Sequence, residues 1–474
     1  MKELDTIAAI ATPPGIGGIG IIRISGPKSF CIASCLFRPG PVPKDENVDV
    51  GKTVSLRPWH LHYGHIFDPS TKQAYDEVLL AFMPAPRSYT KEDIVEIQAH
   101  AGPAVLKRIL GLVIQQEGVR LAEPGEFTRR AFLNGRIDLT EAEAVMDMIT
   151  ARSEMALDIA MAHLSGRFGR SVNDLIQRLH ELRALVEAEI DFPESVEDEF
   201  DFESLSSDIR ESVFIPVKRL IEQHHAANFF REGLSVVIAG GPNVGKSSLM
   251  NRLLEKDRVI VSDIPGTTRD FVEESMVCRG IPLLLCDTAG FRANPESIEA
   301  LGIDNATRAI SQADLILFVV DASRPINEDE RDLFKLVESK KKRRIVVFNK
   351  WDLVQGEGGF HDFSVFEDFV RVKTSCIENT GIDKLQDAIR DVVFSDHHIA
   401  NDLVVPNLRQ KKALETAASC LAAALNILET EGSFGAELAA IDLRDAENAL
   451  MEVVGHRALP DLLDSVFNRF CVGK

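Results

Sequence analysis

The segment Gly240-Gly-Pro-Asn-Val-Gly245-Lys246-Ser247 constrains this chain more than any other, because it stands between an apolar run, 234–239, and a helix-forming stretch, 247–254. A strand, a glycine-rich turn and a helix in that order bring backbone N–H groups together around a phosphate. Lys246 is suited to the β and γ oxygens, and the Ser247 hydroxyl to Mg²⁺. Asn243, Val244, Gly245, Lys246, Ser247 and Ser248 are the candidate phosphate contacts.

Two further apolar runs end in polar motifs. Asp287-Thr288-Ala289-Gly290 follows 281–286 and suits a sensor of Mg²⁺ and γ-phosphate; Asn349-Lys350-Trp-Asp352 follows 344–348 and suits a base reader. Parallel sheets bind ligands beyond the carboxyl ends of their strands, so the three motifs belong to one site. The Asp352 carboxylate matches the ring N–H and exocyclic amine of guanine. A buried acceptor left unpaired by adenine should disfavour ATP by roughly 10⁴ or more. Ser375 opens the last base-contacting loop, with Cys376 where such loops usually carry alanine. In Ile264-Pro-Gly-Thr267-Thr268-Arg269-Asp270, Thr268 is the threonine expected to close over Mg²⁺, with Thr267 beside it. Phe291 stands where regulatory GTPases place a water-orienting glutamine, so catalysis must use another group. The motifs imply a GTPase with GTP and Mg²⁺ as its ligands.

At 474 residues the chain is too long for one core and implies about three domains. Residues 1–120 mix short strand-like runs, 6–11, 19–24 and 78–82, with turns, as in a compact α/β unit. From 139 to 190 apolar residues recur at helical spacing (Leu175, Leu179, Leu182, Val186, Ile190), and 414–454 resumes the pattern with Leu421, Leu425, Leu428, Leu443, Leu450 and Val454. The expected fold is multidomain α/β plus α: an N-terminal α/β domain (1–120), a helical bundle in two parts (121–230 and 396–474), and a Ras-like P-loop G domain (231–395) inserted into it.

A formal charge of −20 opposes unassisted adhesion to nucleic acid, so any RNA contact is expected to be local or shared with a partner. The basic run Lys340-Lys-Lys-Arg-Arg344 reads as a solvated loop before a strand rather than an RNA patch. The carboxylates between Asp191 and Glu203, interleaved with Phe192, Phe200 and Phe202, read either as an acidic loop or as a docking strip for a basic partner. Seven cysteines without a C-x-x-C pair suit reduced thiols in a cytosol, and Cys31 with Cys35 on one helix face makes a weak metal site. No membrane span and no targeting segment are expected, so the protein should be cytoplasmic. Gly15-x-Gly17-x-x-Gly20 fits a dinucleotide fingerprint, but Ile21-Ile-Arg-Ile24 after it reads as strand. His60, His62 and His65 read as a decorated strand rather than a zinc site.

A single G domain with Pro-Asn-Val-Gly-Lys-Ser and Gly-Thr-Thr-Arg-Asp, embedded in helices, in a chain ending Phe470-Cys471-Val472-Gly473-Lys474, closely resembles the MnmE (TrmE) family of tRNA-modification GTPases. Ala11-Thr-Pro-Pro-Gly15, Arg23-Ile-Ser-Gly26, Pro124-Gly-Glu-Phe127 and Ala131-Phe-Leu-Asn134 extend the likeness over essentially the whole chain. The resemblance implies a homodimer joined through N-terminal domains that each hold 5-formyltetrahydrofolate or a related tetrahydrofolate. It implies an FAD-dependent partner, MnmG, in a heterotetramer. Together they would install an aminomethyl or carboxymethylaminomethyl group at C5 of the wobble uridine of certain tRNAs. Arg23, Glu96, Arg136 and Lys474 are the implied folate contacts; the family commonly has lysine where Arg136 stands and isoleucine where Val472 stands. The resemblance further implies a K⁺ ion held by Asn243 in place of an arginine finger, and Glu299 as the carboxylate that activates water. Cys471 either takes part in the one-carbon chemistry or simply packs. The alternative is a ribosome-assembly or RNA-folding GTPase; a basic appended module would mark it, and the acidic composition disfavours it.

Overall fold

The computed structural model describes residues 5–41, 54–191, 201–257, 273–287, 309–340, 342–354, 363–394, 404–457 and 460–474, with backbone alone at 225–228, 232, 256–257, 273, 287, 364 and 433. Thr267, Thr268, Thr288, Ala289, Gly290, Phe291 and Glu299 therefore lie outside the described residues, as does most of the acidic stretch after Asp191. The chain divides into two compact units: 1–146 with 164–177 and 447–474, and 147–163 with 178–446.

The first unit is built on a seven-stranded sheet in the order β3-β4-β5-β6-β2-β1-β7. Its strands are β1 (Thr6–Ile10), β2 (Ile19–Ser25), β3 (Phe37–Pro39), β4 (Leu61–Phe67), β5 (Ala74–Met83), β6 (Ile94–His100) and β7 (Val119–Leu121). All neighbours are antiparallel except β1 and β7. The alternation of strand side chains explains the apolar run after Thr6 in β1: Ile7 and Ala9 join Ala122 and Phe127 on one face, while Ala8 joins Ile22, Ile24 and Ile97 on the other. Both faces of the strand are covered, so no polar residue is needed between the apolar ones.

Strand β2 begins at Ile19, within the Gly15–Gly20 run, and Gly20 lies against Leu106, so the run leads into a strand, with a close approach at Gly20, rather than into a helix N-terminus. The three histidines each face a backbone carbonyl: His60 that of Pro58, His62 that of Arg57 and His65 that of Gly40. Beneath β1 a charged network fills the junction with the helix Glu126–Leu133. Arg130, 3% exposed, donates to Asp5, Glu92 and Glu126, and Arg120 donates to Asp5 and Glu126. Burial alone would raise the pKa of Glu126, but the bonds from Arg120, the Glu123 amide and Arg130 outweigh it and hold the carboxyl ionised.

The second unit carries a six-stranded sheet, β13-β12-β11-β8-β10-β9, comprising β8 (Leu234–Ala239), β9 (Glu273–Cys278), β10 (Ile281–Asp287), β11 (Leu315–Asp321), β12 (Arg343–Asn349) and β13 (Val370–Lys373). All pairs are parallel except β9 with β10. Leu315, Leu317 and Val319 of β11 enter one core and Ile316, Phe318 and Val320 another, the continuous apolar pattern of a strand covered on both faces. Arg343 and Arg344 lie within β12 rather than in a loop before it, and the Arg344 guanidinium stands 4.6 Å from the centre of the Phe369 ring. Part of the basic run is thus used in packing.

The chain enters this sheet through the helices Phe202–Ile209 and Ile215–Glu232 and leaves it into Leu408–Glu431, which packs against both. The stripe Leu421, Leu425 and Leu428 is buried there, as the helical spacing requires. Asn407 and Gln410 close a reciprocal capping box at the start of that last helix. Among the described residues, no helix is long and apolar enough to cross a membrane.

Candidate functional site

Three of the parallel strands deliver their motifs to one edge of the sheet. Strand β8 ends at Ala239, and Gly240 opens the loop that turns into the helix Lys246–Asp257; β12 ends at Asn349; and β13 leads into Thr374 and Ser375. Strand β10 ends at Asp287, whose backbone is in register with Ile238 of β8. The phosphate loop is fastened from the base side: Asn349, 2% exposed, donates from Nδ2 to the Val244 carbonyl at 2.9 Å. Gly245 (φ +96°) lies so close that a Cβ would stand 2.2 Å from that nitrogen, so glycine is required on both backbone and steric grounds. Asn243 holds a left-handed φ of +61° and is exposed at the loop, as are Ser247 and Ser248. The Lys246 ammonium donates to Gly240 and Gly241 carbonyls at 2.9 and 2.7 Å. The loop thus presents backbone N–H groups, a lysine and a hydroxyl at a helix N-terminus, a donor set suited to a polyphosphate and its Mg²⁺.

On the base side Ser375 donates to Asp352, and the Ser375 hydroxyl accepts from the Glu378 amide at 3.1 Å, so Asp352 is held by a loop that is itself hydrogen-bonded. Lys350 (φ +61°) pairs with Asp321 at 2.6 Å. Burial pushes the Asp321 pKa up, yet the bonds from Lys350 and Ser323 outweigh it and lower the value overall. Sequence reasoning missed Asp321, although the signal was available: it ends an apolar run between two motif-bearing strands.

In the first unit a second constellation surrounds segment 470–474. Val472 bridges Pro124, the Phe127 amide donates to the Lys474 main-chain oxygen at 3.2 Å, and Arg23 Nη1 donates to the Gly473 carbonyl at 3.3 Å. A Cβ on Gly473 (φ +100°) would stand 2.3 Å from the Ile10 carbonyl oxygen. Arg23 also pairs with Glu96 at 2.9 Å on neighbouring strands β2 and β6. The guanidinium groups of Arg23 and Arg136 both lie near the Tyr89 ring, 5.8 and 4.9 Å from its centre, and Arg136 donates to the Ser88 carbonyl. The structure thereby gathers Arg23, Glu96, Arg136 and the segment containing Lys474. Tyr89, which joins two of them, carried no distinguishing mark in the sequence. Cys471 is exposed, and its carbonyl accepts from the Gly125 amide.

A glycine-rich loop between parallel strand and helix, with Asn349, Lys350 and Asp352 beside it, defines a P-loop GTPase. Residues 6–136 match the family described as the GTP-binding protein TrmE N-terminus, and residues 139–471 match the MnmE helical domain. The chain is 41% identical over 471 residues to the tRNA modification GTPase MnmE of Alkaliphilus oremlandii (strain OhILAs), and 43% identical over 475 residues to that of Moorella thermoacetica (strain ATCC 39073 / JCM 9320), with 99% of each chain covered in both cases. It belongs to the MnmE family of tRNA modification GTPases.

Proposed function

We propose that this GTPase works in the cytoplasm as a homodimer with an FAD-dependent, MnmG-like partner in a heterotetramer. The assembly adds an aminomethyl or carboxymethylaminomethyl group to C5 of the wobble uridine of certain tRNAs. The proposed domains are 1–120 for dimerisation and folate binding, 121–230 and 396–474 for the helical part, and 231–395 for the G domain. The observation that carries the reading is the convergence of Arg23, Glu96, Arg136 and segment 470–474 about Tyr89. Its donor set fits a reduced folate: the Glu96 carboxylate can accept from pterin N–H donors, the cations suit a glutamate tail, and an aromatic face lies between them. When bound, that cofactor supplies the one-carbon unit. Arg23 orients Glu96, and Gly473 lets segment 470–474 lie against β1 with Cys471 exposed beside the site.

In the G domain, Ser247 and Thr268 are the proposed Mg²⁺ ligands, with Thr268 closing over the γ-phosphate side, and Asn243 the proposed K⁺ ligand. Val244, Gly245, Lys246, Ser248, Thr267, Asp287, Thr288, Ala289 and Gly290 complete the phosphate contacts. Asn349, Lys350, Asp352 and Ser375 hold guanine, and Glu299 positions the attacking water. Nucleoside analysis of tRNA from a strain lacking the gene tests the assignment: the wobble modification is lost, and a normal nucleoside profile refutes the role in modification.

A further inference from the structure

The base-reading loop is tied to the phosphate loop through a residue that base contact alone does not require. Cys376 is 9% exposed and donates from Sγ to Asn349 Oδ1 at 3.3 Å, the oxygen that also accepts from Thr374 Oγ1 at 3.3 Å. The other end of the same amide donates to the Val244 carbonyl in the phosphate loop. From the opposite side Arg252, on the helix that begins at the phosphate loop, donates from Nε to the Cys376 carbonyl at 2.7 Å. Cys376 is therefore held at both ends by groups whose other attachments lead to the phosphate loop. Alanine at this position would keep the carbonyl contact and lose the one to Asn349.

We propose that Cys376 and Arg252 are positioning residues for guanine nucleotide, forming a clamp from the helix Lys246–Asp257 through the base loop to Asn349 and back to Val244. An amide oxygen that accepts two hydrogen bonds fixes the plane of its own NH₂ group, and that group holds the phosphate loop. Burial pushes the Cys376 pKa up, so the thiol keeps its proton and remains a donor. The clamp touches neither the γ-phosphate nor the attacking water. Its effect falls on residence of the nucleotide and equally on GDP and GTP.

The full-length protein loaded with fluorescent GDP or a fluorescent non-hydrolysable GTP analogue tests this by stopped-flow release. Cys376→Ala should speed release of both by about three- to tenfold, the loss expected for one hydrogen bond, and raise KM while kcat changes less than twofold. Cys376→Ser, which restores a donor, should recover most of the difference. Arg252→Met should shift release in the same direction, and the double variant should fall short of the product of the two single effects because they act on one loop. Arg252→Met lies at a partly exposed site and keeps the test open should Cys376→Ala fail to fold. Unchanged release in both single variants, or a fall in kcat at unchanged affinity, overturns the clamp. Equal effects of Ser and Ala at 376 would show packing rather than hydrogen bonding, and overturn it as well. Nucleotide release reads the G domain alone and is blind to the one-carbon donor and RNA assigned above.

Discussion

At the scale of single residues, Gly473 and Asp321 show how position rather than type creates importance. The left-handed φ of Gly473 and the 2.3 Å approach to Ile10 make Gly473→Ala incompatible with the seated segment. Reduced-folate affinity measured by calorimetry should fall about tenfold or more, an effect of the size of lost backbone fit, while GTP hydrolysis stays unchanged. Unaltered folate affinity would place the ligand elsewhere. Asp321 has a folded pKa below its ordinary value of 3.8, so the stability it contributes is fully present above that value and is lost as pH falls through the lower folded one. Asp321→Asn should therefore flatten the acid limb of G-domain stability below about pH 4 and weaken GDP binding at neutral pH. A parallel acid limb in wild type and variant would show that the pair with Lys350 contributes nothing there.

At the scale of elements, the junction between β1, β7 and the helix Glu126–Leu133 combines a small apolar cluster, in which Phe127 meets Ile7 and Ala9, with a buried charged network. Arg130 and Glu126 are 3% and 4% exposed in their side chains, and removing one partner leaves a buried charge. Arg130→Leu should destabilise this unit by about 3–5 kcal/mol, read from denaturant unfolding, whereas replacing Arg130 and Glu126 together by apolar residues should cost less. A double variant as unstable as the single one would show that the network's other members, Asp5, Glu92 and Arg120, carry the cost. The same helix begins in Pro124-Gly-Glu-Phe127, which supplies both the bridge to Val472 and the buried Glu126. One short motif thus fixes the junction and seats the distant terminal segment.

At the scale of the whole molecule, the G domain's entry helix packs against its exit helix, so a change in nucleotide state is applied to a segment anchored at both ends. Under the proposed role of Asn243 as K⁺ ligand, turnover should depend on K⁺, since a cation beside this exposed loop residue would share the charge that builds on the transferring phosphoryl group. GTP hydrolysis followed at equal ionic strength should be faster in KCl than in NaCl. Equal rates would remove the monovalent ion from the mechanism.

The G domain was legible because its determinants are local: a buried strand, a glycine turn and the start of a helix lie within a dozen or so residues, and phosphate binding uses backbone groups that such a run positions by itself. Helical stripes such as Leu421, Leu425 and Leu428 were legible for the same reason, since period alone selects the buried face. The contacts around Gly473 were not. Arg23 and Gly473 are separated by 450 positions, and nothing in either neighbourhood specifies the other until β2, β6 and the Pro124 turn are folded. Likewise Cys376 reads as an ordinary small residue until β12 and β13 bring its thiol to Asn349. Sequence determined which residues could bind phosphate and guanine; tertiary structure decided which distant side chains complete each site, because hydrogen bonds and steric limits act across space and leave no periodicity along the chain.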